Sequence, residues 1–323
     1  MSYISPPRLQ SGDLVEVIAP SASLSRIPED EQARAHHILS QLGLRVRFSS
    51  HARLSDGFYA SPIEGRLKDF HAAFADPEVK AILPVTGGYN ANDLLPYIDW
   101  ELVKNNPKIL CGFSDITTLT TAISVACGFV TYAGPVYASF GAFTGIDEVV
   151  DSFYNATFTS DPYSLPSSRA WSDSRKSTEL FLNPGAVVLN EGTAEGQLWG
   201  GNLLTFNLLQ GSKFFPSLQD AILFLEDDDA EHFARIARGF RALSLQPGFS
   251  QIKGLLIGRW QRGSSMTDEL LRHLLLDQLG LRHIPIITGL DFGHTVPLLT
   301  LPVGGTVRID AQATGSRIQI LTH

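Results

Sequence analysis

Residues 79–123 read VKAILPVTGGYNANDLLPYIDWELVKNNPKILCGFSDITTLTTAI, and one pattern repeated within them decides the fold. Val79 to Val85 is a nearly continuous apolar run that ends in Gly87 and Gly88, and Lys108 to Cys111 repeats the strand-to-glycine order at Gly112. Runs of this kind are strands buried on both faces, the habit of parallel sheets. The pattern extends upstream. Leu14 to Ala19 reads as a buried strand; Ala35, Ile38, Leu39 and Leu42 recur at helical spacing before Gly43; Leu44, Val46 and Phe48 alternate with arginines as a second strand; Leu67, Phe70 and Phe74 mark another helix. Strands alternating with helices imply parallel strands joined by right-handed crossovers. The carboxyl ends of such strands are where ligands collect.

Downstream the alternation weakens into DPYSLPSSRAWSDSRKS, which reads as a linker over 161–185 between a domain at 1–160 and a second at 186–323. The second half has strands at Ala221 to Leu225, Gly254 to Ile257 and Pro285 to Thr288, helices around Leu203 to Leu209 and Asp268 to Leu279, and a β-rich end, TVRID and SRIQILTH. A chain of 323 residues also exceeds what one core usually serves. The expected architecture is therefore a two-domain α/β protein. Its N-terminal domain holds a parallel sheet, and its C-terminal α/β domain is rich in strands.

Composition narrows the function classes. Hydrophobic residues make up 44% and charged residues 18%, the balance of a globular enzyme rather than a disordered or membrane chain. A net charge of -8 with no local basic patch argues against a nucleic-acid polymer as partner. The N-terminal MSYISPPRLQSGD lacks the basic and apolar regions of a secretory signal, so the expected location is the cytoplasm, with no membrane contact. Cys111 and Cys127 form neither a disulfide framework nor zinc-ligand pairs, and His36–His37 is the sole adjacent histidine pair, so no protein-bound metal is expected.

The chemistry centres on Ser114, in Ile109-Leu110-Cys111-Gly112-Phe113-Ser114-Asp115, where a buried strand meets the helical run ITTLTTAI. A serine there resembles a nucleophile elbow, which exposes the hydroxyl and leaves the following N–H free to bind an oxyanion. The competing reading is a helix N-cap, and the second glycine of G-x-S-x-G is replaced by Ile116. A serine nucleophile needs a base. His294, in the loop GLDFGHTVP after a strand, is the candidate, whereas His36, His37, His71 and His273 lie on polar helix faces and His323 is terminal. Glu226 emerges directly from Ala221-Ile222-Leu223-Phe224-Leu225 and is the candidate partner that orients the imidazole. Its alternative role is to open the acidic turn EDDDAE, where Asp227 to Asp229 are expected to cap the next helix. Gly88 is the candidate second oxyanion donor beside the N–H of Asp115. A phosphate-binding role for this glycine pair stays open, although neither dinucleotide nor P-loop spacing is present.

With these residues in view, the chain resembles the LD-carboxypeptidase family of serine peptidases, which includes murein tetrapeptide carboxypeptidases and microcin C immunity peptidases. The likeness spans nearly the whole length through GDLVEVIAPS, TGGYNANDLLPYIDW, NPKILCGFSDITTL, EGQLWGGNLLTFNLLQG, AILFLEDD, KGLLIGRW and ITGLDFGHTVPLLTLPVG. The resemblance implies a nucleophile at Ser114, a glutamate at Glu226, a histidine at His294, and oxyanion donors at Gly88 and Asp115. It also implies a site at the domain interface, a homodimer and no cofactor. GLDFGH looks like the murein enzymes, while GGYNANDLLPYID, PSSRAWSD and VLNEGTAEGQL look more like the immunity peptidases. The latter implies a small peptide or aminoacyl-nucleotide substrate, for which Trp199 beside Asn202, or Trp171, is expected to stack on a base. Packing between domains is the alternative for each tryptophan. Arg259 is expected to meet a substrate carboxylate or phosphate. The rival from another class is a protein that binds a peptide or nucleotide without hydrolysing it.

Overall fold

A computed structural model describes residues 3–323; Met1 and Ser2 of the N-terminal stretch lie outside the described residues. Strands β1 (Leu14–Ile18), β2 (Arg45–Phe48), β3 (Val79–Pro84) and β4 (Ile109–Leu110) form a parallel sheet in the order β2-β1-β3-β4. Helices α1 (Glu29–Gln41), α2 (Ile63–Ala75) and α3 (Trp100–Asn105) are the crossovers. Central β1 is buried throughout, whereas edge strand β2 alternates exposed arginines with half-buried Val46 and Phe48, so apolar content along each strand tracks how many faces it hides. Helix α4 (Thr117–Cys127) is almost wholly buried and stops at Gly128, whose φ of 76° gives the left-handed cap. Strand β5 (Thr131–Ala133) and helix α5 (Ile146–Phe158) complete this half.

The second sheet has eight strands in the order β6-β16-β15-β10-β11-β12-β13-β9. Its centre, β10 (Gly192–Asn202), β11 (Ala221–Glu226), β12 (Gly254–Gly258) and β13 (Ile286–Leu290), is parallel. It is flanked by antiparallel β9 (Val187–Asn190), β15 (Thr306–Gln312) and β16 (Gly315–Thr322). Helices α6 (Leu203–Asn207), α7 (Phe233–Ser244) and α8 (Asp268–Arg272) connect the strands; α8 runs into a π-helical turn over His273–Gln278 where a single helix was expected. Among the described residues there are two apolar cores, one centred on each domain, and Phe113, Tyr3, Tyr163 and Phe215 pack against both.

The stretch expected to be a linker is structured. Strand β6 (Tyr163–Ser164) joins the edge of the second sheet, and β7 (Ala170–Trp171) pairs with β8 (Phe181–Leu182). Its polar residues serve as cross-links. Ser172 exchanges backbone hydrogen bonds with Val296 at 2.7 and 2.9 Å, Gln261 donates to the Asp173 carbonyl at 2.6 Å, and Arg175 reaches Glu31 of the first domain at 2.8 Å. The reverse connection is β14 (Leu301–Val303), a strand from late in the chain that pairs with β5 of the first domain.

Candidate active site

Ser114 does not cap a helix with its side chain. It is the first residue of a short 3-10 turn ahead of α4, and the capping position is Phe113. Its φ of 61° lies in the left-handed region that residues with a Cβ seldom occupy. A strained serine between a strand and a helix is the geometry of a nucleophile elbow. The turn is possible because Gly87 leaves room: a Cβ there would come within 3.0 Å of Ser114 Cβ and Oγ. The N–H of Asp115 sits where the first amides of a helix have no partner within it. The Asp115 carboxylate holds the opposite loop, accepting from Ser21 Oγ at 2.5 Å and from the N–H groups of Asn90 and Ala91 at 2.9 and 2.8 Å. Burial pushes this carboxyl up, and those three donors pull the other way.

His294 and Glu226 meet at the ends of strands from the other domain. Nδ1 of His294 donates to Oε2 of Glu226 at 2.6 Å. Gly293 makes the approach possible, because with φ at 104° it turns the chain and a Cβ would lie 2.6 Å from that same carboxylate oxygen. The other oxygen of Glu226 is buried without a hydrogen-bond partner among the described residues. The ring edge of His294 packs on Phe113 with centroids 5.0 Å apart, which places the imidazole beside the residue that precedes Ser114. Burial alone would lower the imidazole, but the charge and hydrogen bond of Glu226, with Asp228 and Asp227 behind them, outweigh it and raise the group to about 9. The outer nitrogen Nε2 lies 3.9 Å from Oδ2 of Asp228.

Ser114 and His294 line one open cavity of about 270 Å³ together with Gly87, Gly88, Asn90 and Asp228. A second cavity of about 220 Å³ lies behind His294 and shares Phe113, Arg175 and Asp228 with the first. The candidate nucleophile Ser114, candidate base His294, candidate orienting acid Glu226 and the glycine loop, all chosen from sequence, are thus brought together at the seam between domains. The residues expected to contact substrate are not. Trp199 is buried, its ring edge-on to Tyr3 at 5.3 Å. Trp171 is tilted against Phe181, with the Arg259 guanidinium over it at 5.1 Å. Asn202 is a buried N-cap of α6, accepting from Thr205 N–H at 3.0 Å and donating to Asp227 at 2.8 Å. Arg259 is buried, and its Nη2 donates to Asp291, Asn183 and the Gly289 carbonyl. Trp199, Asn202 and Arg259 are buried and Trp171 is half-buried, and none of the four lines either cavity.

Asp227 also differs from expectation. It does not cap α7; it accepts from the N–H of Leu204 at 3.2 Å and so supports the start of α6. Burial, then the neighbouring Glu226 charge, pushes it up to about 7. Sequence inspection missed Arg26, Tyr59, Arg175 and Lys176 as cavity residues. The left-handed φ of 63° at Tyr59 leaves no local sequence signal, and Arg175 and Lys176 fell within the supposed linker. Among the described residues, no His, Cys, Asp or Glu cluster is arranged to hold a metal ion, and no helix is long and apolar enough to cross a membrane.

Comparison with known proteins supplies the family. Residues 15–134 match the LD-carboxypeptidase N-terminal domain and residues 195–309 match the LD-carboxypeptidase C-terminal domain. The chain belongs to the LD-carboxypeptidase family. It is accordingly a serine carboxypeptidase with a two-domain α/β fold. The carboxypeptidase-named protein YocD of Bacillus subtilis is 41% identical, covering 98% of this chain and 99% of that one. The crystal structure of an MccF-like protein from Bacillus anthracis superposes with a TM-score of 0.96 at 41% identity, covering 98% of this chain and 99% of the other. The self-immunity protein MccF of Escherichia coli is 27% identical over 94% of this chain and 92% of its own. A structure of MccF with glutamyl sulfamoyl guanosine gives a TM-score of 0.89 at 28% identity, covering 99% of both chains.

Proposed function

We propose that this peptidase hydrolyses the amide-type bond that joins an aminoacyl or peptidyl group to a nucleotide, with Ser114 as nucleophile, His294 as general base and Glu226 as its orienting carboxylate. The observation that carries the reading is the strained Ser114 in one cavity with a His294 held at 2.6 Å by Glu226. His294 Nε2 takes the Ser114 proton as the hydroxyl attacks the carbonyl, and the N–H groups of Gly88 and Asp115 receive the oxyanion. The imidazolium then protonates the leaving amine. Water replaces that amine, and the same histidine activates it to release the acyl group. The nucleotide-conjugate substrate is supported by the full-length likeness to MccF, which has been crystallised with glutamyl sulfamoyl guanosine.

The second reading is cleavage of a murein tetrapeptide, supported by the family to which both domains belong. The deciding experiment presents an aminoacyl sulfamoyl adenosine and a murein tetrapeptide in parallel to wild type and Ser114→Ala, with products identified by mass spectrometry. Serine-dependent cleavage of the conjugate alone supports the first reading. Serine-dependent release of D-alanine alone supports the second. Saturable binding of either compound with no turnover and no serine labelling would return the chain to a binding role. We further propose a cytoplasmic homodimer, which fractionation and light scattering test.

A further inference from the structure

Arg259, the cation expected to meet a charged substrate, is neutralised inside the C-terminal domain. The catalytic cavity has cations of its own. Although the chain carries a net charge of -8, the lining includes Arg26, Arg175 and Lys176 against one carboxylate, Asp228. Arg175 already gives its Nε to Glu31. Arg26 and Lys176 are exposed, and neither takes part in an ion pair among the described residues. They approach from different parts of the chain, Arg26 after β1 and Lys176 from the segment between domains.

Arg26 is also held in place. It ends a 3-10 turn over Leu24–Arg26 whose cap, Ser23, accepts from the N–H of Ser25 at 3.1 Å. Its guanidinium lies 4.0 Å above the ring of Tyr59. Tyr59 is one of the few non-glycine residues with left-handed φ, at 63°, and it is pinned there because its carbonyl accepts from Ser23 N–H at 2.8 Å and its N–H donates to Asp56 at 3.1 Å. A non-glycine residue held in that region is strained, and such strain concentrates at ligand clamps. A guanidinium stacked on a ring keeps its N–H edge free, and that edge fits a carboxylate or phosphate by paired hydrogen bonds.

We infer that Arg26, stacked on Tyr59, forms with Lys176 an anion-binding edge of the catalytic cavity that accepts a negatively charged group of the substrate, carboxylate or phosphate-like. This rests on the hydrolase reading of Ser114, but it fails separately from it.

The test uses the full chain with Ser114→Ala to prevent turnover, and calorimetry with two matched pairs of probes: adenosine 5′-monophosphate against adenosine, and an N-acetyl dipeptide ending in D-alanine against its C-terminal amide. The expected result is a preference of about tenfold or more for the charged member of at least one pair, the pair identifying phosphate or carboxylate as the source, and its reduction to about threefold or less in Arg26→Ala/Lys176→Ala. Lys176→Ala alone, which leaves the stack of Arg26 on Tyr59 in place, keeps the test valid should Arg26→Ala disturb the loop; it is expected to lose part of the preference. Equal binding of charged and neutral members in both pairs, or a preference that survives the double variant, overturns the inference. Fluorophosphonate labelling of the wild-type chain, with Ser114→Ala as the control, is the separate check on the nucleophile: labelling that Ser114→Ala abolishes leaves the hydrolase reading standing whatever the binding result.

Discussion

The side-chain amide of Asn202 donates to Oδ1 of Asp227 at 2.8 Å, while the backbone N–H of Asn202 donates to Thr117 Oγ1 at 3.1 Å. Thr117 lies three residues after Ser114 and Asp227 directly follows Glu226, so one asparagine ties the helix behind Ser114 to the strand that ends in Glu226. Asn202→Ala is expected to cost about 1 to 3 kcal/mol of stability by removing the side-chain donor to the buried Asp227 and the cap of α6. It is also expected to lower kcat by about tenfold to a hundredfold with little change in KM, because it displaces reacting groups without touching substrate. Steady-state kinetics decide the point: a raised KM at unchanged kcat would restore Asn202 as a substrate contact.

The raised His294 sets a pH dependence. As the proposed general base it acts when neutral, so kcat/KM should climb with pH, reach its midpoint near pH 9 and level off above it. Glu226→Gln removes the main raising charge while burial remains, so the limb should move to lower pH and the plateau should fall by about a hundredfold or more. For stability the sign runs the other way. A histidine raised from an ordinary value of about 6.5 stabilises the fold fully below that pH, and the contribution is lost as pH rises through about 9. A rate profile whose limb does not shift in Glu226→Gln would refute the coupling.

Gly87 is predicted to matter for chemistry more than for folding. A methyl group there meets Ser114 Cβ and Oγ at 3.0 Å, a distance that a shift of a few tenths of an ångström relieves. Gly87→Ala should therefore fold normally by circular dichroism yet react with a fluorophosphonate about tenfold more slowly. Labelling at the wild-type rate would show that the serine is not positioned by this contact.

Arg259 should behave as a structural residue. Its buried pair with Asp291, at 3.0 Å, leaves an unpaired internal carboxylate when the arginine is removed. Arg259→Ala is expected to cost about 3 to 5 kcal/mol in a denaturant titration. For whatever protein remains folded, KM should match wild type; a specific rise in KM for charged substrates alone would return the residue to the site.

Much of the architecture was legible because parallel strands hide both faces and so announce themselves as apolar runs: Val79 to Val85 and Ala221 to Leu225 each correspond to a strand. Their carboxyl ends then pointed to Ser114 and Glu226. What was not legible depends on contacts between distant segments. Trp199 was expected at the ligand from the family resemblance and Arg259 from its charge, yet whether such a side chain faces the cavity or the core is fixed by Tyr3 and Asp291. The segment at 161–185 looked like a linker because its serines and aspartates are typical of loops. Those same groups bond to Val296, Gln261 and Arg262, partners that lie about a hundred residues away.

The pairing of β14 with β5 also orders events during synthesis. Ala133 of the first domain finds its strand partner in Leu301, and Arg8 donates to the carbonyl of His323 at the end of the described chain. Domains made on the ribosome generally fold as they emerge, the first one before the second. Here β5 of the earlier domain lacks its strand partner until Leu301 to Val303 have been added. The proposed nucleophile, Ser114, is therefore in the growing chain long before His294, its proposed base, and a nascent or truncated polypeptide that stops short of His294 carries the serine without it.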